Sequence, residues 1–380
     1  MSKIKVLMLG RIGLLEQGGG DKVQIENTAK ELRKLGIEVD IATGLKTDIS
    51  SYDLVHVFQL DWTPETYLYA KKVKEANKPL ILSPIHHSVK EVIKFDETYA
   101  FDLRRLSKLL FRKQHARDTF KNVYRSFFDL RKFGPTAKSI LVGLKKMHRK
   151  TLNLADTVLV QTNLEAFDLK DTYGVDFNWV KVPNGVGEQF LNLGDVEDPF
   201  EEEEIQDYLF CVGRIEPRKN QLNIIEAAKL MRAEFNKEIP LVFVGTKSTK
   251  RHFEYVWRFN RALKANPWIK HISRVPYEEI PAYFHFAKVG VSASWFETTG
   301  LTSLEALFCG TNAVAAGPRA KEYLGDKAFY CRPDDVTSIK DALVKAYKAS
   351  PPKIDSAMKK EYTWKNAAKK TLEVYENSLK

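Results

Sequence analysis

A group of cations follows an apolar run in the second half of the chain. Residues 213–220 read Gly-Arg-Ile-Glu-Pro-Arg-Lys-Asn and follow a predicted strand at 208–213. The planar guanidinium of Arg214 and the compact ammonium of Lys219 are groups that bind the oxygens of a diphosphate. A solvated basic turn is the alternative interpretation. Ligands of parallel sheets bind where the strands end, which favours an anion site in this loop.

A second set of polar residues follows the apolar run 289–294. Residues 297–305 read Glu-Thr-Thr-Gly-Leu-Thr-Ser-Leu-Glu, and a helix is predicted to begin at Gly300 and Leu301. The free N–H groups of a helix start suit a phosphate or a sugar hydroxyl. Glu305 suits hydrogen bonds from a vicinal diol such as ribose, and Glu297 suits contacts to a hexose. The helix macrodipole alone also favours acids at a helix start, which explains Glu297 well and Glu305 less well.

A glycine-rich loop stands near the start of the sequence. Gly18, Gly19 and Gly20 lie between the first predicted strand and a helix predicted to begin near Asp21. Glycines there let a ligand approach the backbone closely, and the helix start favours an anion. The spacing is not G-x-G-x-x-G, so the dinucleotide-binding fingerprint is absent. A plain strand-to-helix loop is an equally good interpretation.

Short apolar runs that alternate with helical patterns would position these groups. The runs are typical of strands buried on both faces. They lie at 4–10, 39–43, 54–58, 80–83 and 157–162 in the first half, and at 208–213, 241–245, 271–275, 289–294, 311–316 and 328–331 in the second. Strand–helix alternation predicts a parallel, doubly wound sheet, and here it occurs twice. The predicted fold class is α/β, with two Rossmann-like domains and a ligand-binding cleft between them.

Composition is consistent with two folded domains. The chain has 380 residues, of which 44% are hydrophobic, and its three cysteines lack metal-ligand spacing. The net charge of +11 is local, because residues 103–150 contain 15 Lys and Arg against two Asp. No signal peptide and no apolar run long enough to span a membrane is apparent, so we expect a cytoplasmic protein.

The basic segment 103–150 has apolar residues at helical spacing, at positions 103, 106, 110, 120, 123, 127 and 130, with aromatic residues interleaved. Such a segment suits the anionic inner face of a membrane. The alternative is a set of core-packing aromatic residues with a solvated basic face. Nucleic acid is not expected as a partner, because no nucleic-acid-binding module is recognised.

The motifs together resemble glycosyltransferase family 4, a family of retaining GT-B enzymes. The resemblance covers nearly the whole chain and implies that the last helix crosses back to the first domain. The motifs, in chain order, are Gly18-Gly19, Pro183-Asn184-Gly185, Gly213-Arg214 with Lys219 and Asn220, Glu297 with Glu305, the run 305–310, and Tyr362-Thr-Trp364. The domains are expected at 1–190 for the acceptor, at 205–360 for the nucleotide sugar, and at 361–380 for the returning helix.

The resemblance also implies roles for single residues. Arg214 and Lys219 would hold the diphosphate as leaving group, and Glu305 would bind ribose. One of His86 and His87, after the predicted strand 80–83, is implied to face the donor sugar, although an ordinary histidine without a function is an equally good interpretation. The residues implied to contact the donor are Gly18, Gly19, Gly20, Gly213, Arg214, Lys219, Arg274, Val275, Glu297, Thr299, Gly300, Leu301 and Glu305.

The implied activity is the transfer of a hexose from a nucleotide diphosphate sugar to a hydroxyl of a glycan or a lipid-linked acceptor. Synthesis of a cell-surface polysaccharide or glycoconjugate is the expected context. The chain contains no Asp-x-Asp, and neither a metal nor another cofactor is expected. Two alternatives stay open, namely a sugar-nucleotide epimerase or hydrolase on the same fold, and a non-catalytic nucleotide-sugar-binding or membrane-scaffolding protein.

Overall fold

The structure is a computed structural model that describes residues 4–17, 19–61, 63–98, 119, 122, 123, 126, 129–249 and 252–380. Its described residues divide into two compact units. The first unit comprises Met1–Val89, Ser107–Gly185 and Glu361–Lys380, and the second comprises Lys90–Leu106 and Val186–Lys360. Gly18 and most of residues 103–128, in the basic segment 103–150, lie outside the described residues.

The first unit is built on a parallel sheet of six strands in the order β2-β1-β3-β4-β5-β6. The strands are β1 Lys5–Gly10, β2 Glu38–Thr43, β3 Leu54–Phe58, β4 Leu80–Ser83, β5 Thr157–Val160 and β6 Trp179–Lys181. The residues of β3 and β4 are all buried, as expected for strands covered on both faces. The sequence analysis missed β6, because an edge strand of three residues with a partly exposed Val180 has no distinctive apolar pattern.

Helices cover both faces of this sheet. The helices up to residue 173 are, in chain order, α1 Leu14–Gln17, α2 Gly20–Lys34, α3 Glu65–Glu75, α4 Val89–Thr98, α5 Phe133–Val142, α6 Leu144–Leu154 and α7 Asn163–Tyr173, and all of them except α4 belong to the first unit. The hydroxyl of Thr162 caps α7 by accepting from the N–H of Glu165 at 3.0 Å, and Gly174 ends the helix with a left-handed backbone. From α4, Phe95 packs against Trp295 and Phe296 of the second unit, to which this helix belongs.

The second unit repeats the plan with six parallel strands in the order β12-β11-β10-β7-β8-β9. The strands are β7 Leu209–Val212, β8 Leu241–Val244, β9 Ile269–Ile272, β10 Val289–Val291, β11 Asn312–Ala316 and β12 Phe329–Cys331. The remaining helices are α8 Glu188–Leu191, α9 Gln221–Phe235, α10 Phe253–Ala265, α11 Ile280–His285, α12 Leu301–Phe308, α13 Pro318–Leu324, α14 Val336–Lys348, α15 Ser356–Glu361 and α16 Trp364–Ser378. The predicted strand 271–275 was placed two residues too late, so Arg274 and Val275 lie in the loop after β9.

The last helix returns to the first unit, as the sequence predicted. Trp364 and Tyr375 of α16 are buried in the core of the first unit, and the Tyr375 hydroxyl lies 2.6 Å from Nδ1 of the buried His56. Gly185 passes so close to the start of α16 that a Cβ there would meet the Thr363 carbonyl carbon at 2.1 Å. Only glycine is therefore tolerated at this point of the Pro-Asn-Gly motif.

Candidate functional site

The loop after β7 carries the predicted diphosphate-binding cations. Gly213 directly follows the strand, and Pro217–Lys219 forms one turn of 3-10 helix that leads into α9. Because β10 lies beside β7 in the sheet, its following loop meets this turn. The carbonyl of Arg218 accepts from the N–H of Trp295 at 2.9 Å, and the amide of Asn220 donates to the carbonyl of Ala293 at 3.0 Å. These bonds fix the two loops to one another.

An ion pair joins the two loops at their side chains. The ammonium of Lys219 lies 2.6 Å from Oε1 of Glu297, and the guanidinium of Arg218 lies 3.6 Å from Oε2 of the same carboxylate. Burial opposes the ionisation of Glu297, but the charges of Lys219 and Arg218 outweigh it and lower the pKa of Glu297 to about 2. The sequence analysis named Lys219 and Glu297 separately. The structure brings them into direct contact.

Arg214 lies on the exposed side of the same loop. Its side chain is about half exposed, and its Nε lies 3.8 Å from Oε2 of the buried Glu216. Burial alone would raise the pKa of Glu216. The charges of Arg218, Arg214 and Lys219 lower it by more than burial raises it, so the pKa lies below its usual value. Three cations thus surround two carboxylates, and Arg214 is the cation most accessible to a ligand.

Helix α12 begins at the predicted position and carries Glu305. Gly300 precedes it with a φ of 108°, and a Cβ there would approach Cβ of Ala320 to 3.0 Å, so glycine is required for both reasons. The carbonyl of Gly300 already accepts from the N–H groups of Ser303 at 3.0 Å and Leu304 at 3.2 Å. In the first turn, helix geometry therefore leaves the N–H groups of Leu301 and Thr302 without a carbonyl of the same helix. The neighbouring Thr299 is buried.

Glu305 is a buried carboxyl group with one aromatic partner. Its Oε1 accepts from the hydroxyl of Tyr277 at 2.9 Å. Burial raises the pKa of Glu305 to about 7, and the hydrogen bond from Tyr277 and the charge of Lys219 only partly offset this effect. Near neutral pH the group therefore exists in both forms. Tyr277 was missed by the sequence analysis, because an exposed tyrosine in a loop 28 residues away carries no pattern.

The two histidines of the first unit share one carboxylate. Nδ1 of His86 donates to Oδ1 of Asp61 at 2.5 Å, and Nδ1 of His87 donates to Oδ2 at 3.1 Å. The backbone N–H of His87 also donates to Oδ2, at 2.7 Å. Burial of Asp61 opposes its ionisation, but the two histidines outweigh it and hold the pKa of Asp61 well below its usual range.

The two rings differ in accessibility. The side chain of His86 is 1% exposed and its ring packs near Tyr173, whereas the side chain of His87 is 12% exposed. Asp61 was missed by the sequence analysis, although a signal was available. It follows the fully buried strand β3, which lies beside the strand that precedes the histidines.

The glycine-rich loop is only partly described. Gly19 caps α2 with a φ of 139°, and Gly20 is the first residue of the helix. The carboxylate of Asp21, in the first turn, pairs with Nε of Arg11 at 2.6 Å. The carboxylate of Asp21 therefore already supplies a negative charge at the helix start, and Arg11 balances it.

Among the residues that the structure describes, no group of three or more His, Cys, Asp or Glu side chains is arranged to hold a metal ion. Within the same residues, no helix is both long and apolar enough to cross a membrane.

Residues 196–371 match the family described as glycosyl transferases group 1. This match covers the strands and loops that carry Lys219, Glu297 and Glu305. The similar curated proteins include the O-antigen chain mannosyltransferase B of Escherichia coli, which is 26% identical over 176 residues (45% of this chain and 46% of that protein). The D-inositol 3-phosphate glycosyltransferase 2 of Catenulispora acidiphila is 29% identical over 191 residues (48% and 43%). The matched part is thus less than half the length of each relative.

Similar solved structures cover nearly the whole chain. The sucrose-phosphate synthase of Thermosynechococcus elongatus superposes with a TM-score of 0.70 at 14% identity over 99% of both chains. HepE of Anabaena, solved in complex with UDP, gives a TM-score of 0.68 at 14% identity over 98% of this chain and all of that one. At this identity the likeness concerns the fold, and it confirms the predicted two-domain α/β fold of GT-B type.

Proposed function

We propose that the protein is a retaining glycosyltransferase of family 4 that moves a hexose from a nucleotide diphosphate sugar to a hydroxyl group. The observation that carries the proposal is the contact between Lys219 and Glu297 at adjoining strand ends of the second sheet, with Glu305 on the helix that follows. The group 1 match over residues 196–371 supports it. The similar proteins include a mannosyltransferase and HepE of Anabaena, which was solved in complexes with UDP and with UDP-glucose.

The donor half of the reaction would use the cations of this site. Negative charge grows on the diphosphate as its bond to C1 of the sugar breaks, and fixed cations and helix N–H groups stabilise that charge. We assign the diphosphate to Arg214 and Lys219 and the ribose to Glu305. The sugar and its phosphate would contact Glu297 and the backbone at 299–301. The base would lie near Arg274 and Val275, in the loop that also holds Tyr277.

The acceptor half of the reaction would need no metal and no carboxylate nucleophile. The acceptor oxygen bonds to C1 on the face that the diphosphate leaves, and the departing phosphate takes the acceptor's proton, so the configuration is retained. Of the two histidines, we propose that His87 faces the donor sugar, because it is the more exposed. Asp61 would orient it, and His86 would serve as a buried support.

The acceptor that we propose is a glycan or a lipid-linked glycan, in cell-surface polysaccharide or glycoconjugate synthesis. We place the enzyme in the cytoplasm, with its basic segment 103–150 against the inner face of the membrane. Mannosyl transfer to an O-antigen chain, named for one relative, is an activity of this class.

The experiment is a thermal-shift screen of nucleotide sugars, followed by turnover of the best donor with candidate acceptors. Transfer with retained configuration at C1 supports the proposal. Release of free sugar or an epimer without any acceptor requirement would indicate the hydrolase or epimerase. Donor binding that yields no product with any acceptor would indicate the non-catalytic alternative.

A further inference from the structure

Helix α5 exposes its apolar side chains and buries its hydroxyl groups. Thr136 and Ser139 are buried, and the Ser139 hydroxyl donates to the Thr136 carbonyl at 2.7 Å. The exposed residues are the large apolar ones, Phe133 at 62%, Ile140 at 58% and Leu141 at 86%. A helix on the surface of a water-soluble domain shows the opposite arrangement. The outer face of α5 is therefore built for a partner other than water.

Basic residues accompany this apolar face in the sequence. Residues 130–150 contain seven Lys and Arg and no Asp or Glu. Two of the seven are paired with acids outside this range, Arg131 with Glu16 and Asp129, and Lys132 with Asp129. Gly143, with a φ of 89°, separates α5 from α6, and exposed lysines follow directly at the start of α6. We define the corner surface by its exposed members Leu130, Phe133, Lys138, Ile140, Leu141, Lys145, Lys146 and Arg149.

We propose that the corner surface docks on an anionic lipid membrane. Its apolar side chains would enter the boundary between head groups and acyl chains, and its lysines would bind the phosphates of the head groups. A second copy of the chain is disfavoured as the occupant, since two such surfaces would bring like charges together. This inference deepens the membrane association proposed above, and it does not depend on the chemistry of sugar transfer.

The corner surface lies at the C-terminal part of the basic segment that the sequence singled out. Of the apolar positions named there, Leu130 is described and is 80% exposed, Val123 is described and partly buried, and 103, 106, 110, 120 and 127 lie outside the described residues. Core packing therefore does not account for Leu130 or Phe133.

The test is flotation of the full chain with vesicles of phosphatidylcholine alone and of phosphatidylcholine mixed with phosphatidylglycerol. We expect recovery with the anionic vesicles only. Each basic side chain near such a surface contributes on the order of fivefold in partitioning, so the double variant Lys145→Glu/Lys146→Glu should lose about 25-fold or more. The double variant Ile140→Ser/Leu141→Ser should also lose binding, because it removes the inserted side chains.

Matched controls keep the result specific. Leu230→Ser/Phe253→Ser changes two exposed apolar residues of the second unit, and Lys365→Glu/Lys369→Glu reverses two exposed lysines of α16. Both controls should float like the parent chain. UDP binding should be unchanged in all four variants, which separates this inference from the proposed sugar transfer. Equal recovery with neutral and anionic vesicles, or retention of binding by Ile140→Ser/Leu141→Ser, overturns the proposal. The proposal is also overturned if the parent chain is a dimer in the absence of lipid and Ile140→Ser/Leu141→Ser is a monomer.

Discussion

The ion pair between Lys219 and Glu297 makes a quantitative prediction. The pKa of Glu297 is about 2 against an ordinary 4.5, and this difference corresponds to about 3 kcal/mol of stabilisation of the ionised, folded form. Lys219 is the nearer of the two cations that lower this pKa. We therefore expect Lys219→Met to reduce the free energy of unfolding by about 2–3 kcal/mol at neutral pH, since it leaves the buried carboxylate with only the charge of Arg218 and the hydrogen bond from Ser294.

The sign of the pH dependence follows from the same shift. Because the folded-state pKa of Glu297 lies below its unfolded-state value, the stabilisation is present above about pH 4.5 and is lost as the pH falls towards about 2. The loss of stability caused by Lys219→Met should therefore become smaller as the pH falls from about 4.5 towards about 2. Urea unfolding at a series of pH values measures it. Hydrogen exchange of the peptides that contain Lys219 and Glu297 assigns the loss to this pair of loops.

A double-mutant cycle separates stability from ligand binding. The double variant Lys219→Met/Glu297→Gln removes both charges of the pair, so no charge is left buried without its partner. The loss of stability of the double variant should therefore be about 2 kcal/mol smaller than the sum of the two single losses. UDP affinity should stay about 10- to 100-fold reduced, because the charge-assisted bond to the diphosphate is still missing. If the stability losses of the two single variants simply add in the double variant, Lys219 and Glu297 do not stabilise one another as an ion pair. Full UDP affinity in the double variant would refute the diphosphate role of Lys219.

Three further outcomes are expected. Glu305→Gln should gain up to about 3 kcal/mol of stability over the parent at about pH 8, because a buried carboxyl whose pKa is raised to about 7 destabilises the fold as the pH rises through that value. UDP affinity should rise more steeply with pH in the parent than in the variant, as calorimetry can measure, because the terminal phosphate of UDP titrates in both but Glu305 only in the parent. His87→Ala should lower kcat without a large change in unfolding temperature, whereas His86→Ala should lower the unfolding temperature, and the reverse order would contradict the assignment of His87 to the donor. Tyr375→Phe should cost about 1–3 kcal/mol in urea unfolding, because it removes the hydrogen-bond partner of Nδ1 of the buried His56, whose Nε2 keeps its bond to Ser83; an unchanged midpoint would count against a role for this bond in holding α16.

Much of the fold follows from local patterns. Strands such as β3, which only His56 interrupts, and β8 are near-continuous apolar runs because helices cover both faces, and such runs are visible in a sequence. The three-residue edge strand β6 has no such run, and β9 was displaced because only Ile269 among its residues is buried. The packing of Phe95 in the second unit depends on residues about 200 positions later, which no local pattern contains.

The candidate site, like the fold, is only partly predictable from local patterns. Loops after strands and a helix start are predictable, so Lys219 and Glu297 lie in such loops and Glu305 lies on the helix, as the sequence indicates. Their contacts to a donor stay predictions. Asp61 and Tyr277 act through contacts to residues distant in sequence, and their types alone do not distinguish them from ordinary surface residues. On α5, exposed apolar residues look like core residues until their burial is known.

The close approach of Gly185 to the start of α16 bears on how the protein is made. Residues 186–360 leave the ribosome before residues 361–380. The second unit can therefore form its sheet and core while the first unit still lacks helix α16. Until α16 is synthesised, the apolar groove that receives Trp364 and Tyr375 is open to water and to chaperones. The domain encoded first is thus the last to be completed, and a premature stop codon after residue 360 would leave a finished second domain attached to an unfinished first one.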